Sequence, residues 1–558
     1  MARQKKHLDP DIIFLDSKNL PEFDVHQFEG KIERPISRLT SIIIIGFVLL
    51  VFGVYSGRVW YLQIVQGKEF KERAENNRLD HQIVFSERGI ITDRRGQALA
   101  WNEINDTGTS SISFSARRYN TAAGLSHILG YLKYPAKDSS GFFYNTEYVP
   151  REGVEKLFNE KLKGYHGIKL TETDVHGSVM TESILTPPVH GETVTLSIDS
   201  RLQTVLYTII KKTAEDYGFR GGAGVLMDIK TGELIVHVTY PEFNSDIMTN
   251  GTSAEISAEL AKANNPFLDR VSSGLYAPGS IVKPFVALAA LSEHTIDPAK
   301  KILSTGSISV PNPYNPSKPT IFKDWKAHGW VDMRDAIAVS SDVYFYAVGG
   351  GYADQKGLGI DMLDKYLRMF GFGEHMHTPF FKDVAGTIPT PAWKKEHFNG
   401  EAWRLGDTYT SSIGQYGTQV TPIQAVRAVS GIATKGTLIE PTIIKGDISN
   451  RQFWKNIPLA DTDFIIAQEG MRQCVTHGVC AGLKDESVVI AAKSGTAEIG
   501  VLKNHVNSWM TGFYPYNNPH YAFAIVMERG PVDNLIGAGS VSQQFFQTLK
   551  KTTPEYIN

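Results

Sequence analysis

The sequence predicts a mixed α/β (α+β) fold carried on one membrane helix, and three observations predict it. Residues 39–55 read LTSIIIIGFVLLVFGVY without a single charge. A polar turn ending in Gly96 sits between alternating apolar residues, the pattern of a β-hairpin. Beyond about residues 190–200, β-branched strands alternate with helical patterns, a succession that packs as layers of sheet and helix.

At 558 residues the chain exceeds one ordinary domain. Its net charge of -2, with no basic run or aromatic-basic stripe, argues against a nucleic-acid partner. The apolar run is about the shortest that spans a hydrocarbon core, and Trp60 and Tyr61 follow it as interfacial anchors. It is apolar on every face and flanked by Arg34, Arg38 and Arg58, unlike a buried core helix. No small-x-small site follows it, unlike a cleaved signal peptide. Lys31, Arg34 and Arg38 favour a cytoplasmic N-terminus. The expected divisions are a cytoplasmic tail (1–38), a transmembrane helix (39–57), an N-terminal domain (58–193) and a larger domain (194–553).

A juxtamembrane helix is expected over 63–77, then the hairpin of 86–100 and a looser Gly- and Tyr-rich stretch over 101–150. Gly153-Val154-Glu155-Lys156 opens a helical pattern. A helix over 203–215 precedes strands at 223–228 and 234–238, which flank the turn Lys230-Thr231-Gly232.

Three segments carry chemistry. In Pro278-Gly279-Ser280-Ile281-Val282-Lys283-Pro284 a turn leads into an apolar helix, and Pro284 is tolerated only in a first turn. The helix therefore starts close to Ser280. Lys283 returns to the same face one turn later, so hydroxyl and amine can meet. Burial disfavours the charged form of a lysine, which would make Lys283 a base for Ser280, and the helix N-terminus favours negative charge there.

The second segment is Ser340-Ser341-Asp342, a turn after an amphipathic helix over 331–339. The third is the strand of 488–498 with Lys493-Ser494-Gly495-Thr496. Gly495 would allow close backbone approach by a ligand, and Lys493 and Thr496 can hold a carboxylate. Each alone has a bland reading: a capped helix with a surface lysine, an Asx-turn, an edge strand. Ser340 follows Ser280 by about 60 residues and Lys493 follows by about 150 more, which is the order Ser-x-x-Lys, Ser-Asp-Asn, Lys-Thr-Gly of active-serine acyl enzymes.

From the anchor nearly to the C-terminus the chain resembles the class B penicillin-binding proteins. Arg88-Gly89 with Asp93-Arg94 and Gly96 resembles the family's pedestal motif. Asp228, Lys230-Thr231-Gly232-Glu233 and Tyr240-Pro241 resemble the opening of its transpeptidase domain. Gly414-Gln415, Thr421-Pro422 and Ser508-Trp509 with Gly512-Phe513 match later landmarks. Asp342, His328-Gly329 and the stretch from Gly386 to Lys394 lean toward the elongation branch. Tyr416 departs from the family, which usually has glycine there, next to the expected floor of the third motif.

The resemblance implies an antiparallel sheet flanked by helices, preceded by a β-rich pedestal of the dimerisation type. It implies a peptidoglycan D,D-transpeptidase, inhibited by β-lactams and acting in cell-wall elongation and cell-shape maintenance. Ser280 would attack the penultimate D-Ala carbonyl of a stem peptide ending in D-Ala-D-Ala, and Lys283 would take its proton. Ser340 would relay a proton to the leaving D-alanine, with Asp342 orienting the groups around it. Lys493 and Thr496 would hold the terminal carboxylate beside Ser494 and Gly495. The backbone N–H groups of Ser280 and Thr496 would form the oxyanion hole.

No cofactor and no metal are implied. Implied partners are the cytoplasmic membrane, a multi-pass SEDS-type glycan polymerase and elongation-complex scaffold proteins, with the catalytic domain outside the inner membrane. A β-lactamase gains nothing from an anchor and pedestal. A penicillin-sensing receptor shares the core, but the pedestal counts against it. A D,D-carboxypeptidase and a catalytically dead scaffold are the alternatives, and the complete set of site residues argues against the scaffold. For Cys474 and Cys480, around His477, a small-loop disulfide, free thiols and a metal site all stay open.

Overall fold

The computed structural model describes residues 37–71, 79–103, 114–139, 143–173, 179–312, 315, 317–500 and 502–557. It divides into two compact units, 1–81 with 170–183, and 82–169 with 184–558.

In the first unit, α1 (Arg38–Trp60) starts at Ser37, whose hydroxyl accepts the Thr40 N–H, and none of its residues is buried. It runs on through a π-helical turn, Tyr61–Val65, so the apolar helix is longer than expected, at about 40 Å. Among the described residues it is the one helix long and apolar enough to cross a membrane. Residues 67–71 are helical, whereas 72–78 of the expected juxtamembrane helix, and 1–36 of the expected tail, lie outside the described residues.

In the second unit the expected hairpin forms from β1 (Ile91–Thr92) and β2 (Ala98–Glu103), with Ile91 opposite Ala100. Gly96, at φ 85, supplies the left-handed turn residue, and Asp93 Oδ1 accepts the N–H groups of Arg95 and Gln97. β3 (Ala116–Tyr119) and β4 (Val194–Thr195) complete a sheet of order β4-β1-β2-β3. Beneath it, the buried carboxylate of Glu155 takes Arg88 at 2.5 Å and Arg117 at 2.7 Å. The two guanidiniums outweigh the burial that would raise its pKa, which is lowered.

α2 (Ser200–Tyr217) is capped by Asp199 and ends at Gly218 in the left-handed region. Then come β5 (Gly221–Asp228) and β6 (Leu234–Tyr240), and, beyond a long helical insertion, β7 (Ala491–Ile499), β8 (His505–Tyr514) and β9 (Tyr521–Pro531). They form one antiparallel sheet of order β6-β5-β9-β8-β7. Both faces are covered, and the period-2 pleat decides which residue goes where. Leu226, Phe523, Ile525 and Met527 enter one core with α2 and the C-terminal helix Ala538–Thr552. Val225, Met227, Ala522, Ala524 and Val526 enter the other, with the helices of the insertion.

Candidate active site

Within the insertion, Gly279–Val282 forms a 3-10 turn leading into α3 (Lys283–Ser292), with Pro284 in the first turn. In a 3-10 turn residues three apart eclipse, so Ser280 and Lys283 share a face. α4 (Met333–Val339) then ends at Ser340, and α5 (Asp342–Gly350) begins two residues on, capped by the Ser341 hydroxyl. Ser340 has φ 61 and ψ 41, the left-handed region, which a non-glycine residue enters at a cost of about 1–3 kcal/mol.

The Ser340 hydroxyl is the point where the segments meet. Lys493 Nζ donates to Ser340 Oγ at 2.8 Å and to the Ser494 carbonyl at 2.8 Å. Lys283 Nζ donates to Ser340 Oγ at 3.3 Å, the Ser340 carbonyl at 2.7 Å and Asp342 Oδ1 at 2.6 Å. Both lysines are fully buried. The pKa of Lys493 is held well below that of an ordinary lysine, by burial first and then by the charge of Lys283, with Asp342 opposing.

Lys283 is buried, as the sequence predicts, and its Nζ is held by the Ser340 carbonyl, the Ser340 hydroxyl and the Asp342 carboxylate.

The strand of the third segment lies directly against the serine turn. A Cβ on Gly495 would sit 2.7 Å from the Pro278 carbonyl, and one on Gly279 would sit 2.8 Å from the Thr496 carbonyl. Gly495 is therefore required by the protein's own backbone, where a ligand's approach was expected. Trp509, opposite Gly495 on β8, donates from Nε1 to the Ala277 carbonyl at 2.9 Å and fastens the turn. Thr496 is exposed and Ser494 half-buried. Lys283 and Lys493 thus meet on the Ser340 hydroxyl, Asp342 is bonded to Lys283, and the turn that carries Ser280 lies against Gly495 and Thr496.

Tyr416 takes φ 58, and its ring packs with Trp393, Phe398 and Trp403 rather than with the third segment. Its loop meets the site through Gly414, whose carbonyl accepts the Gly279 N–H at 3.0 Å.

Two supporting residues escaped the sequence reading. Asp324 Oδ2 accepts from Ser341 Oγ at 2.8 Å, the Val343 N–H at 3.0 Å and Ser304 Oγ at 3.2 Å. Trp325 Nε1 donates to the Ser340 carbonyl at 3.3 Å. They precede Ser340 in chain order with no motif of their own. Cys474 and Cys480 form a disulfide, which resolves the alternatives left open for them. Among the described residues, no group of His, Cys, Asp and Glu is arranged to hold a metal ion.

Half-buried Ser280 in a turn against the edge strand, with two buried lysines meeting on the neighbouring Ser340 hydroxyl, is the arrangement of an active-serine acyl transferase. Comparison with known proteins agrees. Residues 222–551 match the penicillin binding protein transpeptidase domain, and residues 107–196 match the penicillin-binding protein dimerisation domain. The chain is 26% identical to the peptidoglycan D,D-transpeptidase MrdA of Acinetobacter baumannii, over 92% of this chain and 87% of that protein. It is similar to PBP2 of Helicobacter pylori in complex with MreC (TM-score 0.69, 26% identity, 85% of this chain and 100% of the other). It is also similar to PBP2 of Pseudomonas aeruginosa bound to WCK 5153 (TM-score 0.65, 27% identity, 83% and 96%). The chain belongs to the penicillin-binding protein transpeptidase family, in its class B, elongation-type branch.

Proposed function

We propose that this chain cross-links peptidoglycan stem peptides during cell-wall elongation, with Ser280 as the acylated nucleophile. The observation that carries the reading is the convergence of Lys283 and Lys493 on the Ser340 hydroxyl, beside the turn that bears Ser280.

The base is readied as the substrate binds, starting from Lys283 with its proton held against the Asp342 carboxylate and Lys493 in the neutral form that its burial favours. The carboxylate of a D-Ala-D-Ala stem, arriving at Lys493 and Thr496, raises the proton affinity of Lys493. A proton then passes from Lys283 Nζ to Ser340 Oγ while the Ser340 proton moves to Lys493 Nζ. Lys283 is left neutral and Lys493 charged against the carboxylate.

Neutral Lys283 takes the Ser280 proton as Oγ bonds to the penultimate carbonyl carbon. The backbone N–H groups of Ser280 and Thr496 hold the oxyanion, a contribution of a few kcal/mol. As the C–N bond breaks, Ser340 passes its proton to the leaving D-alanine nitrogen and takes one back from Lys283, with Asp342 holding Lys283 in place. An amine of a second stem then attacks the acyl carbon, its proton passes to the neutral Lys283, and Lys283 returns that proton to Ser280 Oγ as the ester bond breaks.

The remaining parts of the reading rest on family likeness. Residues 58–193 serve as pedestal and 194–553 as transpeptidase domain, with 1–38 in the cytoplasm and 39–57 in the membrane. The catalytic domain faces the extracytoplasmic side, where the substrate lies. A SEDS-type glycan polymerase and scaffold proteins of the elongation complex are the partners.

The test is fluorescent-penicillin labelling of membranes followed by a chase. A long-lived adduct that vanishes in Ser280→Ala supports the reading. Rapid turnover would indicate a β-lactamase, and no adduct a non-catalytic scaffold.

A further inference from the structure

The helix Asp461–Thr476 packs against α3, α4 and β7, the elements that carry Lys283, lead into Ser340 and carry Lys493. Its last turn runs into the loop closed by Cys474 and Cys480, which are 0% and 2% exposed. This loop touches two catalytic segments at once. The Val479 N–H donates to the Ala338 carbonyl at 3.1 Å, two residues before Ser340. The loop lies so close there that a Cβ on Gly478 would fall 2.2 Å from the same carbonyl oxygen. On its other side, Cys480 Sγ lies 3.7 Å from the carbonyl of Ala492, the residue before Lys493. Arg472, one turn earlier, donates to the Ile490 carbonyl at 2.8 Å. The loop is a strut between the backbones whose side chains make the 2.8 Å contact of Ser340 Oγ and Lys493 Nζ.

We propose that the disulfide-closed loop Cys474–Cys480 is a positioning element that sets the Ser340–Lys493 contact, and that acylation of Ser280 therefore depends on the oxidation state of this pair. The inference rests on the reading of Ser280 as nucleophile. Closing the loop breaks two S–H bonds and forms one S–S bond. Two electrons and two protons pass to an exchanging disulfide, which becomes a dithiol. Reduction reverses this and removes the covalent closure of the Cys474–Cys480 loop. Ala338 and Ala492 then lose a common support, and small displacements of groups that must align for proton transfer slow the chemical step.

The experiment measures penicillin acylation of the full chain in detergent, resolved into non-covalent affinity and acylation rate constant. It compares oxidised protein, protein reduced with dithiothreitol with its thiols counted by maleimide mass shift, and the double variant Cys474→Ala, Cys480→Ala. The expected result is an acylation rate constant lower by about tenfold in the reduced protein and in the variant. Affinity should change by less than about twofold, circular dichroism should be unchanged, and the variant should be insensitive to dithiothreitol. An unchanged rate constant in protein carrying two counted thiols overturns the proposal, even if the melting temperature falls, because the cross-link is then only a staple. If the variant does not fold, the thiol-counted wild type decides; if the buried disulfide resists reduction, the variant decides. Absence of any adduct on oxidised wild type removes the Ser280 reading itself and this inference with it.

Discussion

Lys283 Nζ lies 2.6 Å from Asp342 Oδ1, joining the first turn of α3 to the first turn of α5. The lysine is fully buried, and the carboxylate keeps 18% exposure. Removing one partner of such a pair leaves a buried charge without compensation. Asp342→Ala is expected to destabilise the protein by about 2 kcal/mol, less than for a fully buried pair because water reaches the carboxylate. Asp342→Asn keeps an acceptor and should lose less than about 1 kcal/mol. Thermal denaturation of both variants checks this, and equal losses would mean that the charge of Asp342 is immaterial.

Lys493 leads to a pH dependence. On the proposed reading its protonated form grips the substrate carboxylate, and its pKa is depressed by burial and by Lys283. The protonated fraction therefore falls at a lower pH than for a free lysine, near 10.4. Non-covalent penicillin affinity should weaken as pH rises, beginning below that value, and Lys493→Arg should remove the weakening. Stability runs the opposite way. Between the depressed value and the ordinary one the unfolded chain binds the extra proton, so this group contributes stability as pH rises through that window. An affinity profile flat to pH 10 would contradict the assignment.

His127 is half-buried, its ring edge-on to Phe243, near the pair His237–Asp269. Burial lowers its pKa from 6.5 to about 4, helped by His237 and Arg270 and opposed by Asp269 and a hydrogen bond to the Pro266 backbone. The unfolded chain takes up this proton below about 6.5 and the folded chain only near 4, so stability is lost as pH falls through that window. The full effect is about 3 kcal/mol. Denaturant unfolding of wild type and His127→Phe at pH 7 and pH 4.5 measures it. The variant should lose less stability on acidification, and parallel losses would rule out His127 as the source.

Tyr416 offers a cleaner test of backbone strain. Tyr416→Gly and Tyr416→Ala both remove the ring, but only alanine keeps a side chain at φ 58. The glycine variant should be the more stable of the two by about 1 kcal/mol. Equal melting temperatures would place this residue outside the left-handed region.

What could be read from the sequence was local. Pro278-Gly279 ahead of an apolar run marks a turn into a helix, and Ser280 and Lys283 share a face because they are one turn apart. The alternation of strand residues such as Leu226 with Val225 and Met227 follows from the pleat, and it sorts the two cores. What could not be read depends on contacts between distant segments. Nothing near Asp324 signals that its carboxylate braces Ser341 and Val343, and nothing near Cys474 says that its loop reaches Ala338. Gly495 was recognised as a close approach, but the partner, Pro278, lies more than 200 residues earlier. The pairing of Lys283 with Asp342 is of the same kind: the two are 59 residues apart in sequence, and only the fold brings them to 2.6 Å.

The most direct measurement supplies purified chain with uncross-linked glycan strands bearing pentapeptide stems, digests the product and separates the muropeptides by mass. Wild type should yield dimers joined through a D-alanine carbonyl with release of one D-alanine per link, and Ser280→Ala should yield none. Dimers at the wild-type level from Ser280→Ala, or tetrapeptide monomers alone from wild type, would contradict the account.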